Sequence, residues 1–248
     1  MSPKNKIISL FSGAGGMDIG FKQQGFETAV FVERDSSCCD TLRKNCASIP
    51  VIENDICAVS TKEILKTAKL SVCEPALVIG GPPCQSFSLA GERKGLDDPR
   101  GRLLWEFARI VKESLPVAFV LENVRGMANW EKGRALKYIL DLLRQPIKYR
   151  NKSFSYDVEY SILNSAEFGV AQYRERIFIV GNRIEKKFNF PPPTHGKISN
   201  QTNFDFTDQK PFETVWGAIG SLPKADEPSE TAKLVSRTIK DRIKNHGY

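Results

Sequence analysis

A chain of 248 residues, 41% hydrophobic and 26% charged, can bury a full core as one large domain, with or without an appendage. No apolar run approaches the roughly 20 residues that span a bilayer, and the start Met1-Ser2-Pro3-Lys4 lacks a signal peptide's apolar stretch, so a cytoplasmic protein without a membrane partner is expected. The formal charge of +7 suits a polyanionic partner without identifying one.

Ile7 to Phe11 reads as a first strand, followed by the turn Ser12-Gly13-Ala14-Gly15-Gly16 and a helix through Phe21 that stops near Gly25. Thr28 to Val32 is a second strand closed by Glu33, and Val51-Ile52 a short third before Asp55. Leu77 to Ile79 and Val117 to Leu121 are apolar, β-branched runs of the kind buried on both faces of a parallel sheet. Between them Leu103, Leu104, Phe107, Ile110, Val111 and Leu115 recur at helical spacing, and Leu136, Ile139, Leu140 and Leu143 do so again. This alternation predicts a doubly wound, mostly parallel α/β fold with helices on both faces. Val158 to Leu163 and Arg176 to Val180 look like an antiparallel pair added at the sheet edge. Beyond about Arg183 the composition turns loop-like, with Pro191-Pro192-Pro193 and one helix expected over Thr214 to Leu222. The expected division is a catalytic unit over 1–183 and a loop-rich extension over 184–248.

Six cysteines show no Cys-x-x-Cys spacing and read as unpaired thiols, and the two histidines stand far down the chain, so neither a metal site nor a histidine-based triad is expected. One thiol differs from the rest. Cys84 follows the run Ala76 to Gly81 through Pro82-Pro83, a stiffened loop where a strand releases its chain into a crevice. Open α/β sheets bind ligands at that edge, which suits a nucleophile. Glu122 ends the next apolar run in the same way, so thiol and carboxyl are expected to open into one crevice. The pair fits attack on an electron-poor ring whose nitrogen must be protonated.

The glycine turn lets backbone N–H groups approach a ligand closely. The dinucleotide fingerprint wants a third glycine where Asp18 stands, and a negative side chain beside a pyrophosphate is unfavourable, so a phosphate-free nucleoside is expected instead. Glu33 is placed to accept from ribose hydroxyls, and Asp55 from an exocyclic amine. Arg174 and Arg176 alternate onto one side of the strand at 176–180, either as solvated edge charges or as fixed cations for a substrate carbonyl or phosphate.

Phe11-Ser12-Gly13-Ala14-Gly15-Gly16, Pro82-Pro83-Cys84-Gln85-Ser86-Phe87-Ser88, Glu122-Asn123-Val124 and Gln172-Tyr173-Arg174-Glu175-Arg176 stand in the order seen in the DNA (cytosine-5)-methyltransferases, which the chain resembles from about Ile7 to Gly181. The resemblance implies a Rossmann-like sheet, S-adenosylmethionine as cofactor and double-stranded DNA as substrate. It implies that Cys84 adds to C6 of a flipped-out cytosine, that Glu122 reaches N3 and the N4 amine, and that Arg174 and Arg176 hold the O2 side. Phe11, Gly13, Ala14 and Gly15 would line the cofactor's methionine end, Glu33 would take the ribose, Asp55 and Ile56 the adenine, and Pro82 and Leu103 would complete the pocket. Members of the family normally continue into a target-recognition domain and a returning segment that contacts the cofactor. Stopping at Tyr248, this chain is similar to the large subunit of a split, two-chain enzyme of a restriction–modification system, whose partner would carry those parts. A tRNA cytosine-5 methyltransferase shares the same motifs, a non-catalytic binding relative is disfavoured by the intact set, and a nicotinamide-dependent oxidoreductase by Asp18.

Overall fold

Parallel pairing of the first apolar runs builds the centre of the molecule. The computed structural model describes residues 5–83, 102–184, 187–197, 209–222 and 237, so Cys84 lies outside the described residues. In chain order the elements are β1 (Lys6–Leu10), α1 (Gly16–Gln23), β2 (Glu27–Glu33), α2 (Ser36–Asn45), β3 (Val51–Glu53), α3 (Thr61–Ala68), β4 (Leu77–Gly80), α4 (Arg102–Ser114) and β5 (Ala118–Val124). They continue with α5 (Gly126–Asn129), α6 (Arg134–Arg144), the hairpin β6 (Ile147–Tyr149) and β7 (Lys152–Phe154), β8 (Asp157–Asn164), β9 (Glu175–Asn182), the short strands β10 (His195–Gly196) and β11 (Lys210–Pro211), and α7 (Val215–Ile219).

Seven strands form one sheet in the order β3-β2-β1-β4-β5-β9-β8. β1 to β5 run parallel, while β9 is antiparallel to both β5 and β8, giving the expected edge pair. The chain winds from β1 toward β3 and then from β4 toward β8, so the strand order reverses between β1 and β4. The loops after those two strands therefore flank the crevice in which doubly wound sheets hold ligands.

One sheet face carries the main core. Ile8, Leu10, Val30, Val32, Val78, Phe119, Leu121, Ile177 and Ile179 pack there against Ile64 and Leu65 of α3, Phe107, Ile110 and Val111 of α4, and Leu136, Ile139 and Leu140 of α6. Each large apolar side chain so buried contributes about 1.5–3 kcal/mol before entropy. On the opposite face Ile7, Ala76, Leu77 and Ile79 form a smaller cluster with Met17 and Phe21 of α1.

Three sequence expectations need correction. β5 does not stop at Leu121: β4 ends against Leu121 at Gly80, but β9 continues to pair through Val124, so Glu122 and Asn123 lie inside a strand that overhangs its parallel neighbour. Arg174 precedes β9, so the strand alternation that would align it with Arg176 does not reach it. The helix expected over Thr214 to Leu222 is Val215–Ile219, with the Thr214 hydroxyl capping it by accepting from Gly217 N–H. Among the described residues Cys38, Cys39, Cys46, Cys57 and Cys73 are all unpaired thiols. No described helix is long and apolar enough to cross a membrane, and no described group of three His, Cys, Asp or Glu side chains lies close enough to hold a metal ion.

Candidate active site

The crevice begins at the end of β1. Phe11 leaves the strand with φ of 52° and Gly13 follows with the same φ, so the chain turns sharply back toward α1, whose N-terminus Gly15 caps in a left-handed conformation. Glycine is required at Gly15, where a Cβ would sit 3.1 Å from Leu42 Cδ2 on top of the φ penalty. The turn is held from β2: Glu33 Oε2 accepts Gly13 N–H at 2.8 Å, while Oε1 accepts Arg34 N–H at 2.8 Å and Asp35 N–H at 2.9 Å. Three of the carboxylate's roughly four lone-pair directions are thereby used, which fixes its orientation and leaves room for one ligand hydroxyl.

Beside Glu33 opens a cleft of about 280 Å³, lined among others by Phe11, Asp55, Ile56, Pro83 and Leu103. That is near the lower end of the ~300–1,000 Å³ typical of small-molecule sites. Asp55 accepts Cys57 N–H at 2.8 Å, capping the 3₁₀ turn Ile56–Ala58, and this bond holds its carboxyl below the usual range. Arg109 of α4 braces the same turn. Its guanidinium donates to Val59 O at 3.0 Å and Ile56 O at 3.4 Å while pairing with Glu106 at 2.6 Å. Glu33, Asp35 and Asp55 against Arg34 give the cleft an acidic balance. A cationic nucleoside fits such a wall and a pyrophosphate does not. Asp18 is not the reason, contrary to the sequence expectation. It is 7% exposed and turned beneath α1, accepting from Ser9 Oγ at 2.9 Å and Thr28 Oγ1 at 2.7 Å, and burial pushes its carboxyl up.

Across the crevice the overhang of β5 meets the loop after β4. Glu122 Oε1 pairs with Arg176 Nε at 2.9 Å, the diagonal neighbour across the β5–β9 ladder, with both side chains about one-fifth exposed. Glu122 Oε2 faces Gly81: a Cβ there would lie 3.0 Å away, so the carboxyl takes that position because residue 81 is glycine. At Gly80 a Cβ would fall 2.7 Å from Leu10 O, so β1 and β4 approach closely for the same reason. Asn123, 3% exposed, points to the other face and donates from Nδ2 to Pro82 O at 3.1 Å while Oδ1 accepts Val124 N–H at 2.8 Å. Adjacent residues of one strand thus grip adjacent residues of the loop that leads to Cys84. Arg125 seals the strand tip with two bonds to the Glu175 carboxylate, at 2.7 and 2.9 Å.

The structure therefore brings Glu122, Arg176, Gly81 and Pro82 together, and Gly81 also lines the cleft with Phe11, Glu33, Asp55, Ile56 and Leu103. Gly13, Ala14 and Gly15 stay with the glycine turn, outside the cleft lining, and Pro83 lines the cleft where Pro82 was expected, Pro82 being held by Asn123 instead. Arg174 is exposed; its N–H donates to Asn164 Oδ1 at 3.1 Å and its carbonyl accepts Ser165 N–H at 3.0 Å. Sequence reasoning gave no role to Gly81, Asn123 or Arg109. The period-2 alternation that points Glu122 one way and Asn123 the other was the available signal for the second.

The family described as C-5 cytosine-specific DNA methylase matches residues 5–247. Type II methyltransferase M.AquIA of Picosynechococcus sp. is 59% identical over 247 residues, 99% of this chain and 100% of that one. Type II methyltransferase M.NgoFVII of Neisseria gonorrhoeae is 35% identical over 96% of this chain but 58% of its own length. A crystal structure described as a prophage-encoded DNA modification methyltransferase from E. coli superposes with a TM-score of 0.66 at 25% identity, covering 89% of this chain and 56% of that one. DNMT2 of Spodoptera frugiperda shares the fold, with a TM-score of 0.57 at 20% identity over 76% of this chain and 53% of that one. The chain thus spans the whole of one relative and little more than half of the others.

Proposed function

Because this chain belongs to the C-5 cytosine-specific DNA methylase family, we propose that it transfers a methyl group from S-adenosylmethionine to C5 of cytosine in double-stranded DNA. The reaction would run through a transient bond between Cys84 and C6 of a flipped-out base. The carrying observation is the Glu122–Arg176 pair held against Gly81, three residues before the thiol and itself part of the lining of a nucleoside-sized cleft of acidic balance. Bound in that cleft, S-adenosylmethionine would supply an electrophilic methyl sulfonium. Glu33 would orient the ribose, Asp55 and Ile56 the adenine, and Leu103 and Pro83 the walls. Phe11 and the turn Gly13-Ala14-Gly15 would receive the methionine end.

C5 of cytosine is too weak a nucleophile to react unaided. Attack by the Cys84 thiolate forms a C6–S bond and breaks the C5=C6 π bond. A proton passing from Glu122 to N3 makes the product a neutral enamine with electron density at C5. Arg176 holds Glu122 Oε1, which would leave Oε2, beside Gly81, to address the base, and such a positioned acid typically contributes ~10²–10⁴-fold. Arg174 would add fixed charge on the O2 side. After C5 is alkylated, a base such as water removes the C5 proton, that electron pair restores the C5=C6 double bond as the C6–S bond breaks to release the Cys84 thiolate, and N3 returns its proton to Glu122. A duplex buries C6 in the stack, so the base must be extruded first.

The same reading makes the chain the catalytic half of a two-chain modification enzyme. Its support is the match to the full length of the Picosynechococcus protein beside 58% of the gonococcal one. The partner would bring the recognition domain and a final cofactor-contacting segment. Transfer of label from tritiated cofactor, with the complementing polypeptide present, is expected into duplex DNA and not into tRNA. Label in tRNA would redirect the substrate, and no transfer to either would refute the activity.

A further inference from the structure

We propose that the β6–β7 hairpin is a second contact for duplex DNA, holding the phosphates of a segment other than the one whose base is extruded; the choice of DNA rests on the reading above. The hairpin stands far from the crevice. β8, which follows it, begins at Asp157 opposite Asn182, and Asn182 in turn faces Ala118 at the start of β5. The crevice lies at the other end of that seven-residue strand, about 20 Å away. Between Asp141 and Asp157 the chain carries four cations, Arg144, Lys148, Arg150 and Lys152, and no acid. The dipole of α6 accounts for Arg144 in its last turn, but not for the three cations beyond the helix. Arg144 is also committed to Val158 O, at 2.6 Å. Lys148, Arg150 and Lys152 are exposed, and among the described residues none of them pairs with a carboxylate.

These charges ride on an anchored scaffold. Ile147 packs against the main core, and the Arg183 guanidinium lies 5.4 Å over the Phe154 ring while donating to Pro116 O at 2.9 Å, just before β5. Tyr149 pairs with Lys152, which leaves Arg150-Asn151 as a two-residue turn with φ of 45° and 60°. Such turns favour Asn-Gly, because the left-handed region is strained for most side chains. Asn151 tolerates it; Arg150 stands at the tip against that preference, its guanidinium 5.2 Å over the Tyr149 ring. Strain kept at an exposed tip points to a side chain that serves binding instead of folding. Unpaired cations interleaved with rings suit a phosphate backbone, where each neutralised phosphate releases counterions and no sequence is read. DNA is stiff over about 500 Å, so the stretch seated at the crevice cannot also turn round to the opposite edge of the sheet. The hairpin therefore takes another segment.

The probe is a short fluorescent duplex of A·T pairs alone, which offers the crevice no cytosine, and its affinity for the chain is followed by anisotropy across a salt series. K148E/R150E/K152E should weaken binding at least tenfold and make the log–log salt slope shallower by roughly 2–3, for three contacts at about 0.9 each. K22E/K62E/K66E changes the formal charge equally at exposed lysines of α1 and α3 and should cost less than about threefold. R150N seats a residue that tolerates left-handed φ, so affinity should fall a few-fold while the melting temperature holds or rises. Equal losses in the two triple variants would reduce the effect to overall charge and overturn the inference, as would unchanged binding by the hairpin variant. Hairpin-dependent binding of tRNA tighter than that of the duplex would overturn DNA as the ligand. Methyl transfer to a short cytosine-bearing duplex by the complemented hairpin variant should stay within about twofold of wild type; a parallel loss there would overturn the second-segment claim. Absence of transfer in the wild type refutes the proposed activity and leaves the A·T duplex to decide the hairpin.

Discussion

Replacing Gly81 by alanine adds one methyl group in close contact with Glu122 Oε2. The new Cβ would lie 3.0 Å from that oxygen, whereas ordinary contacts start at 3.4 Å, so the carboxyl must withdraw by 3.4 − 3.0 = 0.4 Å. It cannot swing away at no cost, because Oε1 is tied to Arg176 at 2.9 Å and the backbone is locked in the β5–β9 ladder. Misplacement by 1 Å costs on the order of 10²-fold in rate, so a shift of this size costs about sixfold, or about 1 kcal/mol of transition-state stabilisation, as a floor. Gly81 is not among the glycines with positive φ, so alanine brings no backbone strain and the fold should hold. Single-turnover methyl transfer by the complemented enzyme should therefore fall by about 6–30-fold, with cofactor affinity within a few-fold and the melting temperature nearly unchanged. A wild-type rate in the folded variant would show that the Glu122–Gly81 contact does not position the acid.

Other perturbations separate the parts of the site. For Asp18, burial raises the folded-state pKa above the unfolded value of about 3.9, so the native state favours the protonated form, and stability falls as pH rises through the interval between the two values. Asp18→Asn removes that titration: its stability relative to wild type should increase in urea titrations as pH rises from about 3.9 until it reaches a plateau, and a pH-independent difference would contradict the assignment. Arg109→Met breaks the brace from α4 to the Ile56–Ala58 turn and leaves Glu106 unpaired in a largely buried position, which should cost about 2–4 kcal/mol in urea unfolding and weaken cofactor binding. A loss under about 1 kcal/mol would mean that the turn is held by other contacts. Glu33→Gln keeps the shape of the side chain but replaces one acceptor oxygen by a donor opposite backbone N–H groups, so cofactor affinity should drop at least tenfold by calorimetry; an unchanged value would remove Glu33 from the binding set.

The strands were legible where burial on both faces made them continuous apolar runs, as in Ile7–Leu10, Val30–Val32 and Leu77–Ile79. α2 was not, because in Ser36–Asn45 Cys39 and Leu42 alone are buried, too few to set a helical period in a polar segment. The length of β5 escaped for a different reason. Glu122 and Asn123 are polar, and what keeps them in a strand is the partner β9, whose Phe178 and Ile177 stand opposite them from far downstream in the chain, which no local pattern encodes. Asp18 was read as facing the ligand because the fingerprint gives positions and not side-chain direction; two hydroxyls on β1 and β2 draw it beneath the helix. The ion pair of Glu122 with Arg176 likewise depends on antiparallel register, so sequence could name both residues without joining them.

The most direct measurement concerns the thiol. A duplex carrying 5-fluorocytosine at the target position cannot lose its C5 substituent as a proton, so the C6–S bond should persist after methyl transfer. Incubated with the complemented enzyme and S-adenosylmethionine, it should yield a denaturation-resistant protein–DNA species whose mass includes one methyl group and whose cross-linked peptide contains Cys84. A wild-type protein that methylates the normal duplex yet leaves no such species, or one joined through another side chain, would contradict the mechanism.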